Sequence, residues 1–162
     1  ADGLVAIFAR DKPRRRVAYS TDGGRSFSEP LPDEALVDPA CNGGVTRIRR
    51  PGKPPLLITS LLNHPSERRD LVLRTSLDDG ATWSDPVPLR DGPCAYSLVL
   101  PLADGGVGVA FEDGDYAAVA FVRLEANEID PATRPLHPAP IAEPNPGGSS
   151  GAAKPPEVAT AD

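Results

Sequence analysis

Four side chains in this sequence are of types that can do chemistry on a ligand. They are Tyr96 in an A-Y-S segment, Glu112 at the end of one apolar segment, Arg10 at the end of another, and Arg68 in a polar turn. A phenol has a pKa of about 10, so a tyrosine is a useful nucleophile at neutral pH only beside a carboxylate base. A planar guanidinium binds a carboxylate through two parallel, charge-assisted hydrogen bonds. Taken singly, a tyrosine in a sheet is more commonly a packing residue. Whether these four side chains form a site therefore depends on the elements that position them.

The composition excludes several classes of protein. The 162 residues include 20 prolines and 15 glycines, about twice the average share, which argues against a helical bundle or a coiled coil. The longest apolar run, Tyr116 to Val122, is too short to span a membrane. A net charge of -6 argues against nucleic acid as the main partner. Cys41 and Cys94 can form at most one disulfide, and with two distant histidines they do not make a zinc site.

Short apolar segments separated by turn residues predict an all-β, mostly antiparallel fold with about eight strands and no helix. Pairs of Asp and Gly at 104–105 and 113–114 are typical of hairpin turns. The charged run Arg14-Arg15-Arg16 is expected to be a hairpin loop that faces solvent. The predicted strands are Leu4–Ala9, Arg16–Ser20, Val45–Arg49, Leu56–Leu61, Asp70–Ser76, Ser97–Leu102, Gly106–Phe111 and Ala117–Leu124.

The composition changes near residue 130. Residues 131–162 contain eight prolines and no aromatic residue, so they cannot bury enough apolar surface to offset the entropy of ordering. We therefore expect two regions: a folded part over 1–129 and a disordered tail over 130–162. The tail either tethers a further domain or is a plain flexible terminus.

A repeated motif gives the strongest evidence on architecture. The pattern S-x-D-x-G-x-x-F/W begins at Ser20 and again at Ser76, 56 residues later, and each copy is followed by S-[DE]-P. The Asp carboxylate can accept backbone N–H bonds in a turn, and the Gly takes a backbone shape closed to other residues. The aromatic residue is expected to pack under the turn. This element is structural, and no catalytic role is assigned to it.

The motif resembles the Asp-box, or bacterial neuraminidase repeat, which lies between the third and fourth strands of β-propeller blades. Two copies at this spacing are typical of a propeller. Residues 3 to 125 resemble, in order and spacing, the C-terminal half of the catalytic domain of the sialidase (neuraminidase) family. The resemblance implies a partial six-bladed β-propeller with about two to three blades of four antiparallel strands. Besides the repeats, it rests on the segments Phe8–Arg10, Pro39–Val45, Asn63–Leu71 and Cys94–Glu112.

The resemblance also implies roles for single residues. Tyr96 matches the tyrosine nucleophile, and Glu112 matches a carboxylate that orients an arginine. Arg10 and Arg68 match two members of the arginine triad that holds the carboxylate of sialic acid, with Arg69 as the fallback for Arg68. No cofactor or metal is implied. The first arginine of the triad, the Asp general acid/base and the Glu that partners the tyrosine are expected before residue 1. Since the sequence contains no methionine, its natural start is expected upstream as well.

The function implied for the parent protein is a retaining exo-α-sialidase that acts on sialylated glycans. Two alternatives stay open. A non-catalytic Asp-box propeller could bind glycans or proteins, because the repeat occurs in such proteins too. A sialidase-like relative could act on another acidic sugar.

Overall fold

The computed structural model of the chain describes residues 3–130. They form nine β-strands and one short helix, which confirms a mostly β fold. The strands are β1 (Val5–Ala9), β2 (Arg14–Ser20), β3 (Leu31–Val37), β4 (Val45–Ile48), β5 (Leu56–Leu62), β6 (Arg69–Ser76), β7 (Val87–Pro101), β8 (Val107–Asp113) and β9 (Ala118–Leu124), and the helix is α1 (Ala126–Ile129).

The strands form two antiparallel sheets that correspond to three neighbouring blades. The first sheet has the order β1-β2-β3, and the second has the order β4-β5-β6-β7-β8-β9. The first part of β7 pairs with β6, and its second part pairs with β8. Strands β4, β5, β6 and the first part of β7 therefore make one four-stranded blade, and the rest of β7 opens the next. The described residues thus have the architecture of a partial β-propeller.

The repeated motif lies where the propeller interpretation requires it. One copy connects β2 to β3, and the other connects β6 to β7, the third and fourth strands of the complete blade. In the second copy, Asp78 Oδ1 accepts the backbone N–H of Thr82 at 2.8 Å and the hydroxyl of Ser76 at 2.7 Å. The Ser76 hydroxyl in turn accepts the N–H of Gly80 at 2.8 Å. Asp22 makes the equivalent contacts in the first copy. Each turn is therefore closed by the carboxylate of its own Asp.

The two aromatic residues of the repeats are covered to different degrees. Each ring lies near the glycine of its own turn. Trp83 also packs edge to face on Phe8, with 5.9 Å between ring centroids, and its Nε1 donates to Asp33 at 3.1 Å. Phe27, in the first blade, remains 39% exposed. Trp83 therefore joins the first blade to the second, whereas Phe27 does not lie between blades of the described chain.

A continuous core holds the second and third blades together. Its members are apolar residues of β4 to β9, Cys41 of the β3–β4 segment and the helix residue Ile129. A smaller cluster packs the first blade against the second. The larger core is centred on Ile48, Leu56, Ile58, Leu62, Leu71, Leu73, Val87, Leu89, Val99, Val107, Val109 and Phe111, and the smaller cluster contains Leu36, Leu61, Val72, Phe8 and Trp83.

β3 and β7 differ most from the sequence-based prediction. β3 was not predicted, because the prolines and acidic residues at 30–34 are typical of a loop. β7 is longer than the predicted Ser97–Leu102 and starts at Val87, although its middle carries Asp91, Gly92 and Pro93. An irregular register on both sides of this segment accommodates those residues without ending the strand.

The prediction that Arg14, Arg15 and Arg16 form a solvent-facing loop is wrong. All three lie in β2, and Arg15 is only 2% exposed. Side chains of a strand alternate between its two faces, so one member of a charged run can point inward. Arg15 does so because a buried carboxylate, Asp38, faces it.

The chain ends its described part in a four-residue helical turn. α1 was not predicted, and four residues with a Glu125–Glu128 capping box give little periodic signal. No helix among residues 3–130 is long and apolar enough to cross a membrane. Of the predicted disordered tail, 130–162, residues 131–162 lie outside the described residues, and the boundary between the tail and the propeller stays a prediction.

Candidate active site

The two arginines and the tyrosine singled out in the sequence meet at one place. Arg10 follows β1, and its Nη1 donates to the Tyr96 hydroxyl at 3.4 Å. The guanidinium of Arg68, from the β5–β6 loop, lies over the Tyr96 ring with its Cζ 5.1 Å from the ring centroid. Three residues separated by up to 86 positions in the chain thus form one exposed cluster, which we call the arginine–tyrosine cluster.

The cluster changes the acidity of its phenol. The hydrogen bond from Arg10, followed by the contact with Arg68, lowers the pKa of Tyr96 below its ordinary value of 10.0. Both cations stabilise the phenolate more than the phenol. The geometry therefore makes the Tyr96 phenol easier to deprotonate, as a tyrosine nucleophile requires.

Glu112 holds the backbone beside the phenol. Its Oε2 accepts the backbone N–H of Tyr96 at 3.1 Å. The register of β7 against β8 is irregular between Cys94 and Ser97, so the N–H of Tyr96 is not used in the regular ladder and is available to a side chain. The fourth residue predicted from the sequence is thus brought to the same place, through a contact that the sequence did not predict.

A loop before β6 presents Arg68. His64 Nδ1 accepts the backbone N–H of Glu67 at 2.8 Å, which closes the loop on itself. The Arg68 carbonyl accepts the N–H of Cys94 at 3.2 Å, which ties the loop to β7. Arg69, the fallback residue, turns instead toward Asp70, with Nε 3.0 Å from Oδ2. Arg68 and not Arg69 therefore lies at Tyr96.

The segment between β3 and β4 supports Tyr96 from behind. The carbonyl of Asn42 accepts the N–H of Ser97 at 3.2 Å, and the Ser97 hydroxyl lies 2.9 Å from that of Ser60. A Cβ at Gly43 would overlap the Ser60 carbonyl, and one at Gly44 would overlap the backbone of β7. The two glycines are therefore required for the segment to pass this close to its neighbours.

A buried ion pair holds the same segment in place. Arg15 Nε lies 2.6 Å from Asp38 Oδ2, and both side chains are almost fully buried. Arg15 Nη2 also donates to the Cys41 carbonyl at 3.0 Å, and Asp38 Oδ1 accepts the Cys41 N–H at 2.7 Å. Burial raises the pKa of Asp38, and the charge of Arg15 opposes that shift. The pair fixes Cys41, which precedes the residue that contacts Ser97.

Both cysteines are free thiols and packing residues. Cys41 and Cys94 are buried in the larger core. Burial raises the pKa of Cys94 to about 11 and also raises that of Cys41, so neither is a reactive thiolate at neutral pH. Among residues 3–130, no group of three or more His, Cys, Asp or Glu side chains is arranged to hold a metal ion.

The cluster contains one residue that the sequence analysis missed. Tyr116, in the turn between β8 and β9, has its hydroxyl 2.6 Å from Arg68 Nη1. This hydrogen bond raises the pKa of Arg68. The sequence predicted a hairpin turn at Gly114, just before Tyr116. It did not predict that this turn contacts the β5–β6 loop.

The charges of the cluster are not balanced within the described chain. Neither Arg10 nor Arg68 forms an ion pair with a carboxylate of residues 3–130; their polar partners there are tyrosine hydroxyls. The nearby Glu112 carboxylate accepts the backbone N–H of Tyr96 and pairs with neither arginine among the described residues, so the two cations still attract an anion. The cluster is therefore a candidate site for a ligand that carries a carboxylate.

The fold and the repeats place the chain among the propellers with Asp-box repeats, and comparisons with known proteins agree. A family model described as a BNR repeat-like domain matches residues 1–109. A sialidase of Micromonospora viridifaciens is 33% identical over 122 residues, which are 70% of this chain and 19% of that protein. Sialidase-2 of Mus musculus is 32% identical over 149 residues, 81% of this chain and 38% of that protein. The solved structure of the Hadza microbial sialidase Hz136 superposes with a TM-score of 0.69 and 25% identity, over 79% of this chain and 26% of that one.

The chain belongs to the sialidase family of BNR-repeat proteins, as the sequence resemblance predicted. It spans 19% of the bacterial relative and 38% of the mouse relative.

Proposed function

We propose that the full gene product is an exo-α-sialidase, which hydrolyses terminal sialic acids from glycans, and that this chain supplies part of its active site. The observation that carries the proposal is the contact of Arg10 and Arg68 with Tyr96. Family membership supports it. The finer roles that follow were implied by the sequence resemblance, and the geometry is consistent with them.

The chemistry of the substrate explains why these residue types are combined. Sialic acid carries a carboxylate on its anomeric carbon, which would repel an Asp or Glu nucleophile. A neutral tyrosine avoids that repulsion, and sialidases with a tyrosine nucleophile are known exceptions to the two-carboxylate scheme of glycosidases. Arg10 and Arg68 bind the substrate carboxylate through charge-assisted hydrogen bonds.

The proposed reaction has two steps. The Tyr96 oxygen bonds to the anomeric carbon as the glycosidic bond breaks, and the phenol proton passes to a base while an acid protonates the departing oxygen. Water then attacks the sialyl-tyrosine and restores the phenol, so the configuration is retained. Glu112 orients an arginine of the triad and also fixes the Tyr96 backbone. We assign the base and the acid to no residue of this chain.

The experiment that tests the proposal replaces the nucleophile. In the full gene product, Tyr96→Phe should lower kcat on a fluorogenic sialoside by at least about a thousandfold, because the covalent step is lost. Sialic acid should still bind, because both arginines remain. Tyr19→Phe, on β2, is the matched control. Near-full turnover by Tyr96→Phe would remove the tyrosine from the mechanism.

A second experiment tests whether residues 1–162 are active alone. The free edges of the described sheets expose large apolar side chains, including Leu4, Ile7, Val119 and Phe121. Exposed edges and apolar patches favour association with other chains. We expect the 162-residue chain, expressed alone, to aggregate or fold poorly and to show no sialoside hydrolysis. Robust turnover by a monodisperse monomer would show that the chain holds a complete site.

One observation also favours a related activity. The arginine–tyrosine cluster contains two arginines that form no ion pair within residues 3–130, and they would bind the carboxylate of any acidic sugar of similar shape. A panel of aryl glycosides of different sugar acids separates the two activities. Sialic acid should be preferred by at least tenfold in kcat/KM, and the opposite preference would assign the enzyme to another acidic sugar.

A further inference from the structure

The partner of Arg68 is unusual for a surface arginine. Exposed arginines of this chain commonly face a carboxylate, as Arg14 faces Glu34 at 2.8 Å and Arg16 faces Asp11 at 2.7 Å. Arg68 instead donates to the neutral hydroxyl of Tyr116 at 2.6 Å. A neutral acceptor fixes the direction of a guanidinium without cancelling its charge.

The backbone of Tyr116 does not favour a tyrosine. Asp115 and Tyr116 have φ values of 53° and 68°, and the Ala117 N–H donates to the Gly114 carbonyl at 3.1 Å. Two left-handed central residues define a type I′ hairpin turn, which prefers Asn, Asp or Gly. A bulky side chain in this conformation is strained.

Burial does not explain the tyrosine either. Its side chain is 58% exposed, so the ring contributes little to the core. Neither the turn nor the packing therefore accounts for this residue type. Its hydroxyl has one protein partner among residues 3–130, the Arg68 guanidinium.

We propose that Tyr116 is a positioning residue, which holds Arg68 over the Tyr96 ring so that its remaining N–H groups bind the substrate carboxylate. The guanidinium is fixed from two sides, by the ring face of Tyr96 and by the hydroxyl of Tyr116. Tyr116 acts through Arg68 and touches no reacting atom. This inference rests on the proposed function.

The first test removes only the hydroxyl. In the full gene product, Tyr116→Phe should raise KM for a fluorogenic sialoside by about fivefold to tenfold, since a hydrogen bond to a charged group is lost, and should change kcat by less than about threefold. The melting temperature should not change. In an Arg68→Ala background the same substitution should have no further effect, because a residue that acts through Arg68 cannot act without it. Tyr19→Phe is the control.

The second test separates positioning from folding. Tyr116→Asn places a favoured residue at the strained position and removes the phenol. We expect the melting temperature to stay level or rise while KM increases at least as much as in Tyr116→Phe. A role in folding alone would move stability and leave KM of the folded enzyme unchanged.

The outcomes distinguish this inference from the proposed function. An unchanged KM in Tyr116→Phe, or an effect that adds fully to that of Arg68→Ala, overturns the role of Tyr116 while leaving the sialidase intact. If the wild type binds free sialic acid by calorimetry but hydrolyses no sialoside, the enzymatic proposal fails, and weaker binding by Tyr116→Phe still supports the positioning role. A wild type that neither binds nor hydrolyses overturns both.

Discussion

Two arginines near each other in the sequence are used in opposite ways. Arg15 lies in β2 at 2% exposure, 2.6 Å from the carboxylate of Asp38. Arg10, five residues earlier and just after β1, is exposed and donates to the hydroxyl of Tyr96. The first guanidinium is neutralised, and the second keeps its charge available.

The comparison shows that the role of each arginine depends on the residue that its guanidinium contacts. A carboxylate partner cancels the charge and lets the side chain be buried, where it supports the segment that contacts β7. Tyrosine partners orient a guanidinium and leave its attraction for anions intact. Arg68, like Arg10, has a tyrosine hydroxyl as its partner and keeps its charge available. Its neighbour Arg69 faces the carboxylate of Asp70 and is neutralised, as Arg14 and Arg16 are by their own carboxylate partners.

Breaking the buried pair should have the largest effect on stability. Arg15→Met keeps an unbranched side chain of similar length but leaves the Asp38 carboxylate buried without a counter-charge. We expect the free energy of unfolding to fall by about 3–5 kcal/mol, measured by urea unfolding of the full gene product. The KM of the enzyme that remains folded should change less than in Arg68→Ala, because Arg15 is buried and acts only on the segment that supports Tyr96.

The double variant Arg15→Met/Asp38→Asn serves as the control for that experiment. It removes both charges and keeps an acceptor for the Cys41 N–H, so part of the loss should be recovered. A loss below about 1 kcal/mol in Arg15→Met would mean that the pair behaves like an exposed one.

Removing the exposed guanidinium should have the reverse signature. Arg68→Ala should raise KM for a sialoside by about tenfold to a hundredfold, since a charge-assisted contact with the carboxylate is lost, and should leave the melting temperature unchanged. Arg69→Ala is the matched control, because that side chain is already turned toward a carboxylate. If Arg69→Ala raises KM and Arg68→Ala does not, the assignment is off by one residue.

A smaller effect should appear in the acidity of the phenol. Arg10 is the main cause of the lowered pKa of Tyr96, so Arg10→Ala should move that pKa upward, toward 10.0. Spectrophotometric titration of the full gene product, with the Tyr96→Phe titration subtracted, isolates this phenol. Arg14→Ala, which removes a cation paired with Glu34, should leave the titration in place, and an equal shift in both variants would refute a specific contact.

The Asp-box carboxylates extend the comparison to negative charges. They are exposed and have neutral hydrogen-bond partners, like Arg10 and Arg68, but they stabilise a turn and are assigned no ligand. Bonds from Thr82 and Ser76 lower the pKa of Asp78 to about 2 from 3.8. The pKa is lower in the folded than in the unfolded chain, so the stabilisation is complete above pH 3.8 and is lost as the pH falls toward 2. The melting temperature of the full gene product should therefore fall more steeply over this range than that of Asp78→Asn. Parallel curves would show that the turn does not depend on the charge.

The sequence predicted those parts of the molecule that have a local cause. The Asp-box turns were predictable because a carboxylate, a glycine and the donors that it binds lie within a few residues. The strands with plain apolar patterns, such as β5 and β8, were predicted within a residue or two at each end. The meeting of Arg10, Arg68 and Tyr96 followed only from a family resemblance, since no local rule joins residues so far apart.

What the sequence did not predict depends on distant partners. Arg15 is indistinguishable from its charged neighbours until Asp38, which directly follows β3, is placed beside it. Tyr116 became relevant only when a hairpin turn met a loop 48 residues earlier. β7 was shortened in the prediction because proline and glycine usually end a strand, whereas here they mark an irregularity within one.

The connection between the second and third blades has no loop, because β7 runs from one into the other as a single strand. Proteins accept insertions and deletions mainly in loops. A residue inserted between Pro93 and Tyr96 would turn the phenol to the opposite face of the strand. We therefore expect natural variants of this protein to differ in length at the other connections and to keep this one constant, so that the number of residues from Val87 to Tyr96 is inherited unchanged.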